Sequence, residues 1–95
     1  MISKKVKIQS SDGMHMQPAN EFVKLAKNFK SKIFISKNGK KVDGKSLLSI
    51  LTLVASKGVE LEIIADGSDE NDAVIKLANL IENNFNKKEI KNETK

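Results

Sequence analysis

With 95 residues the chain has room for one hydrophobic core and no second domain. It contains no cysteine, which excludes disulfides and thiolate metal sites and fits a reducing cytoplasm, where the chain is expected to work. No apolar run is long enough for a secretory signal or a membrane span. The net charge of +5 is unevenly placed. Residues 1–41 carry ten lysines against Asp12 and Glu21, residues 42–85 three lysines against eight acids, and residues 86–95 four lysines against two glutamates.

In chain order, Ile2, Val6 and Ile8 alternate with Lys5 and Lys7, which predicts a half-buried strand over 2–8 that "SSDG" then breaks. Pro18 suits a first helical turn because its missing N–H has no helical partner to lose. Ala19, Phe22, Val23, Ala26 and Phe29 continue at helical spacing, so the first helix is placed at 17–29. "KIFISKNGKKVDG" reads as a hairpin around Asn38-Gly39, a type I′ turn signal, with a short polar second arm suited to a sheet edge. Ser46 is a good N-cap for a helix over 47–56, with Lys57-Gly58 as its stop. "VELEIIADG" alternates Val59, Leu61 and Ile63 with Glu60 and Glu62, a second half-buried strand. Ser68 then caps a last helix whose stripe is Val74, Leu77, Ala78, Ile81 and Phe85. One domain over 1–85 follows, with 86–95 a frayed basic tail. The β-α-β-β-α-β-α order fits an α+β fold, an antiparallel sheet covered by helices on one face. The second helix is unusual: Leu47, Leu48, Ile50, Leu51, Leu53 and Val54 are more apolar surface than so short a helix buries, so part of it is available to a partner.

The stretch "DGMHMQPAN" holds the single histidine, His15, between Met14 and Met16. Thioethers and imidazole bind Cu(I), but no second histidine or cysteine completes such a site, so no metal is assigned. A helix N-terminus offers free N–H groups and partial positive charge to an anion. A phosphoryl group on His15 could therefore be held by the backbone N–H groups of Met16 and Gln17. The same positive end favours the neutral imidazole, whose lone pair a nucleophile needs. A surface histidine in an ordinary turn stands as the alternative at this level. Ser46 is first a helix cap; a phosphoserine there would also sit at the favourable end of the helix dipole. The lysines do not read as a nucleic-acid surface, since there is no arginine for bidentate contacts and no aromatic stacking platform. An acidic protein partner suits them better.

"DGMHMQPAN" followed by "GKSLLSILTL", with the element order and the "ADG" turn before the last helix, resembles the HPr family, the histidine phosphocarriers of the phosphoenolpyruvate-dependent sugar phosphotransferase system. The likeness covers residues 2–85. It implies an open-faced β-sandwich of strand order 1-4-2-3 under three helices. It also implies that His15 takes a phosphoryl group on Nδ1 from phosphorylated enzyme I and passes it to the A-type domains of sugar-specific enzyme II permeases. Such a chain is a relay intermediate rather than a free-standing catalyst. It needs no cofactor, does not enter the membrane or bind nucleic acid directly, and is expected to be a monomer. Relatives in low-GC Gram-positive bacteria are phosphorylated on the serine opening the second helix, which licenses binding to a catabolite-control repressor. Ser46 matches that serine, implying a serine kinase/phosphorylase as a further partner. The partner surface implied by the resemblance is Leu47, Leu48 and Leu51 with Asn20, Lys24 and Lys27.

One departure matters. The family motif reads Gly-x-His-Ala-Arg-Pro-Ala, and here Met16 and Gln17 replace the alanine and arginine. Gln17 keeps a donor but loses the charge, a loss of roughly 1–2 kcal/mol in holding phosphate and about tenfold in rate. The chain has no arginine at all, and its 17 Lys, 9 Asn and 10 Ile suggest A/T-rich codons, so mutational bias accounts for the change without a change of role. The alternative is a regulatory or non-sugar paralogue with weakened transfer.

Overall fold

In the computed structural model, which describes residues 1–9 and 16–83, seven elements alternate as expected. They are β1 (Ile2–Lys7), α1 (Met16–Ala26), β2 (Lys32–Lys37), β3 (Lys40–Asp43), α2 (Leu47–Leu51), β4 (Glu60–Asp66) and α3 (Glu70–Glu82). The four strands form one antiparallel sheet of order β1-β4-β2-β3.

Register follows from the alternation of side chains along each strand. Val6 pairs with Leu61, Ile35 with Ile63 and Ile33 with Ala65, so all six apolar residues point to one face. That face is buried beneath the helices, where it meets Phe22, Ala26, Ile50, Leu77 and Ile81. Each such isoleucine, leucine or phenylalanine contributes on the order of 1.5–3 kcal/mol on burial. The other face is open. Across it run Lys5, Glu62, Ser36 and Lys41 on neighbouring strands, with the Lys41 ammonium 4.8 Å above the Phe34 ring. The hairpin turns at Asn38 (φ 50°) and Gly39 (φ 88°), the pair of left-handed residues a type I′ turn requires. It leaves β3 as the polar edge.

The helices depart from the sequence reading at their ends. The first begins at Met16 and stops at Ala26, three residues short of Phe29. Its last turns tighten: Asn28 donates to Leu25 and Phe29 to Ala26, which swings the Phe29 ring into the core. Lys45 then donates to the Phe29 carbonyl at 2.7 Å, so this ammonium is occupied in closing α1. The second helix ends at Leu51 rather than residue 56, where Lys37 takes the carbonyls of Leu53 and Val54. The third is capped by Asp69, one residue after the expected Ser68. The Asp69 carboxylate does not cap its own helix. It accepts from the Ser31 hydroxyl at 2.5 Å, from the Ser31 N–H at 2.9 Å and from the Lys30 N–H at 2.8 Å, stapling the α1–β2 loop to the start of α3. The Ser31 hydroxyl first, and then these N–H groups, hold the carboxyl down to about 2. Gly67 permits the approach, since a Cβ there would lie 2.6 Å from the Ser31 Cα. The expected break at Ser10–Gly13, the stripe residue Phe85 and the tail 86–95 lie outside the described residues.

Candidate functional site

The start of α1 and the whole of α2 carry the site. Met16 and Gln17 are the first two helical residues, so their N–H groups have no acceptor within the helix. Pro18 follows as the third, buried and unable to donate. No acidic residue stands in this first turn to oppose an anion. Both Met16, at 59%, and Gln17 are exposed. His15 and Met14 lie outside the described residues; in sequence, His15 immediately precedes the first helical residue.

Helix α2 packs against α1 and β3 through a single fully buried side chain, Ile50. Ser46 is its N-cap: in extended conformation, it accepts the Ser49 N–H on Oγ at 3.2 Å. Asp43 accepts the Lys45 N–H just upstream and fixes the entry to the helix. With Ile50 inward, Leu48 faces solvent at 74% exposure, while Leu47 and Leu51 are half-buried. The excess apolar surface read from the sequence is thus real for Leu48 and Val54 and smaller for Leu47 and Leu51. Leu53, counted with that excess, is buried.

Asn20 and Lys24 on α1 and Lys27 in the turn just after it fall four and three residues apart and are all exposed. Lys24 and Lys27 border a groove of about 500 Å³ floored by Leu25 and Leu80, between α1 and α3. The exposed Lys24 of α1 and the exposed Leu48 of α2 therefore belong to two helices in contact.

Two contributions were invisible in the sequence. Lys37, read only as a hairpin lysine, donates to the carbonyls of Leu53 at 2.9 Å and Val54 at 3.0 Å and pins the segment after α2. Lys45 closes α1 as described. Neither has a local signal, since each partner is sixteen or seventeen residues away. Among the described residues no three of His, Cys, Asp and Glu gather as a metal site, and no helix is long and apolar enough to cross a membrane.

A four-stranded antiparallel sheet of order 1-4-2-3, bare on one face and covered on the other by three helices, defines an open-faced α+β sandwich. The family described as "PTS HPr component phosphorylation site" matches residues 2–83. The phosphocarrier protein HPr of Borreliella burgdorferi is 46% identical over 82 residues, 86% of this chain and 95% of the relative. The HPr-like protein Crh of Bacillus subtilis is 41% identical over 78 residues, 82% and 92% of the two chains. A crystal structure of HPr from Thermoanaerobacter tengcongensis superposes with a TM-score of 0.86 at 38% identity, covering 90% of this chain and 96% of that one. The chain belongs to the HPr family of phosphocarrier proteins.

Proposed function

We propose that the chain carries a phosphoryl group on His15 between phosphorylated enzyme I and the A-type domains of sugar permeases. The observation that carries this reading is the start of α1. It begins one residue after His15, with the N–H groups of Met16 and Gln17 unclaimed by the helix and no acid in its first turn. In the transfer, the unprotonated Nδ1 of His15 attacks the phosphorus of the donor. An N–P bond forms as the bond to the donor breaks, and the reverse sequence hands the group to the acceptor. The helix end stabilises the phosphoryl charge while the group is carried. Gln17, exposed beside this end, donates a neutral hydrogen bond where the family motif has a charged one. Leu48, Leu51 and Leu47 with Asn20, Lys24 and Lys27 receive the partner. Incubation with enzyme I, Mg²⁺ and phosphoenolpyruvate should add one acid-labile phosphoryl group, and His15→Ala should abolish it. A labelled His15→Ala protein would refute the assignment.

A second reading is regulation through Ser46. It is supported by the start of α2, where the half-buried Ser46 acts as cap through its Oγ, and by the likeness to Crh. A phosphate on that oxygen would meet the Ser49 N–H that it already accepts. The expected result is ATP-dependent, acid-stable labelling by a serine kinase, with tighter binding to a catabolite-control repressor. Unchanged repressor binding by the labelled protein would count against it.

A further inference from the structure

The first turn of α1 offers a phosphoryl group two N–H donors and no charged side chain: Met16, Gln17, Pro18 and Ala19 are all neutral. A carried phosphoryl group brings three acceptor oxygens and close to two negative charges, which neutral donors offset only in part. The cations placed around the two helices are spent or distant. Lys45 and Lys37 are held on backbone carbonyls. Lys24 stands seven residues beyond Gln17, about 10 Å along the helix, where water and salt screen it.

The direction of α3 points to another source of charge. Asp69, its N-cap, accepts from the N–H groups of Lys30 and Ser31, just past the end of α1. Leu80, eleven residues on, lines one groove with Glu21, Lys24 and Leu25. Helix α3 therefore runs back along α1, and its C-terminal end faces the α1 start. From that groove α3 has three residues left, to Asn83, while α1 has five, from Glu21 back to Met16. At 1.5 Å per residue, the chain leaves α3 within about 10 Å of the α1 start, measured along the helix axis.

Residues 84–95 lie outside the described residues and beyond the span that matches the family. The first charged residues after Glu82 are Lys87 and Lys88, and residues 86–95 carry four lysines against two glutamates. An extended chain covers about 3.3 Å per residue, so about 13–17 Å separates Asn83 from these lysines at full stretch. That length, with the lysine side chains added, spans the remaining distance along the axis and the roughly 10 Å between packed helix axes.

We infer that Lys87 and Lys88 complete the phosphoryl site from the end of the chain, their ammonium groups pairing with the oxygens of the group carried at the α1 start. The inference rests on the phosphocarrier reading above. It supplies the cation that the first helical turn lacks. An ammonium is a compact charge with three donors, so it pairs with a phosphoryl group without the fixed fork geometry of a guanidinium.

The test uses the full chain carrying Lys87→Gln and Lys88→Gln together, with phosphoramidate as a donor that involves no protein partner. The Nδ1 of His15 attacks its phosphorus, a new N–P bond forms, and ammonia leaves as the old N–P bond breaks. The doubly neutralised chain should be labelled about fivefold more slowly than the parent at low salt, and within about twofold of it at 1 M salt, where charges act over only about 3 Å. Lys87→Arg with Lys88→Arg should keep the parent's rate. Lys4→Gln with Lys5→Gln removes two charges from exposed positions on β1 and should also leave the rate unchanged. An unchanged phosphoramidate rate in the doubly neutralised chain, or an equal loss in the β1 pair, overturns the inference. So does a loss seen only with enzyme I, which would put these lysines on the partner rather than on the phosphoryl group. In each of those cases the phosphocarrier reading stands. A parent chain that takes no acid-labile phosphoryl group from enzyme I and phosphoenolpyruvate overturns that reading, and the inference with it.

Discussion

Ile50 is the only buried residue of the five-residue helix α2, at 0% exposure, whereas Leu48 two positions earlier is 74% exposed. Truncating each to alanine separates the root of the helix from its surface. Ile50→Ala removes three carbons from a site without water, about 2.5 kcal/mol at roughly 0.8 kcal/mol per carbon. The cavity left beneath α2, whose Leu47 and Leu51 also pack against the core, brings the loss to about 3–4 kcal/mol. With a urea slope of about 1–1.5 kcal/mol/M, the midpoint should fall by about 2–4 M. A domain of this length holds roughly 5–14 kcal/mol in total, so the variant should still fold in buffer. Leu48→Ala should stay within about 0.5 kcal/mol of the parent, because its side chain is already in water. Paired urea titrations followed by far-ultraviolet circular dichroism measure both, and amide exchange at Leu53 should accelerate only in Ile50→Ala. A loss below about 1 kcal/mol for Ile50→Ala, or equal losses for the two variants, would refute the argument that Ile50 is the main anchor of α2.

Three further outcomes follow from particular contacts. Because the fold holds the Asp69 carboxyl at about 2 against an ordinary 3.8, the staple to Ser31 and Lys30 is whole above about pH 4 and is lost as pH falls toward 2. Urea midpoints measured across that window should show a flatter acid limb for Asp69→Asn, and parallel limbs would contradict the assignment. Gly44→Ala would place a Cβ 2.6 Å from Ile33 Cγ2 and 3.2 Å from the carbonyl that the Gly44 N–H already bonds at 2.7 Å, for an expected loss of about 1–3 kcal/mol by thermal melting. Gln17→Arg should speed labelling by enzyme I about tenfold in rapid-quench assays, by restoring a charge-assisted bond; an unchanged rate would show that the exposed lysines of α1 already supply that charge.

What could be read from the residues was whatever is written at short range. The alternation in "VELEIIAD", the Asn38-Gly39 turn, Pro18 in a first turn and Ser46 as a cap each involve neighbours within four positions, and all four stand in the fold. Element order, the helix-covered face and the α+β class followed from them. His15, Gln17 and Ser46 were legible as candidates because a helix start declares itself locally. Helix ends were less legible. Phe29 lies at helical spacing, yet its ring enters the core only once the last turns of α1 tighten. Ser68 and Asp69 are equally good caps by type, and what selected Asp69 was its placement at the loop bearing Ser31, 38 residues away.

The amino-acid sequence by itself determined which segments are strands and helices and which face of each is apolar, because those depend on periodicity. The tertiary structure decided where α2 stops, that Lys37 and Lys45 are spent on backbone carbonyls, and that Val54 rather than Leu53 is left in water. Those outcomes turn on which distant groups meet once the sheet has closed its order of 1-4-2-3, and no pattern over neighbouring residues encodes such a meeting.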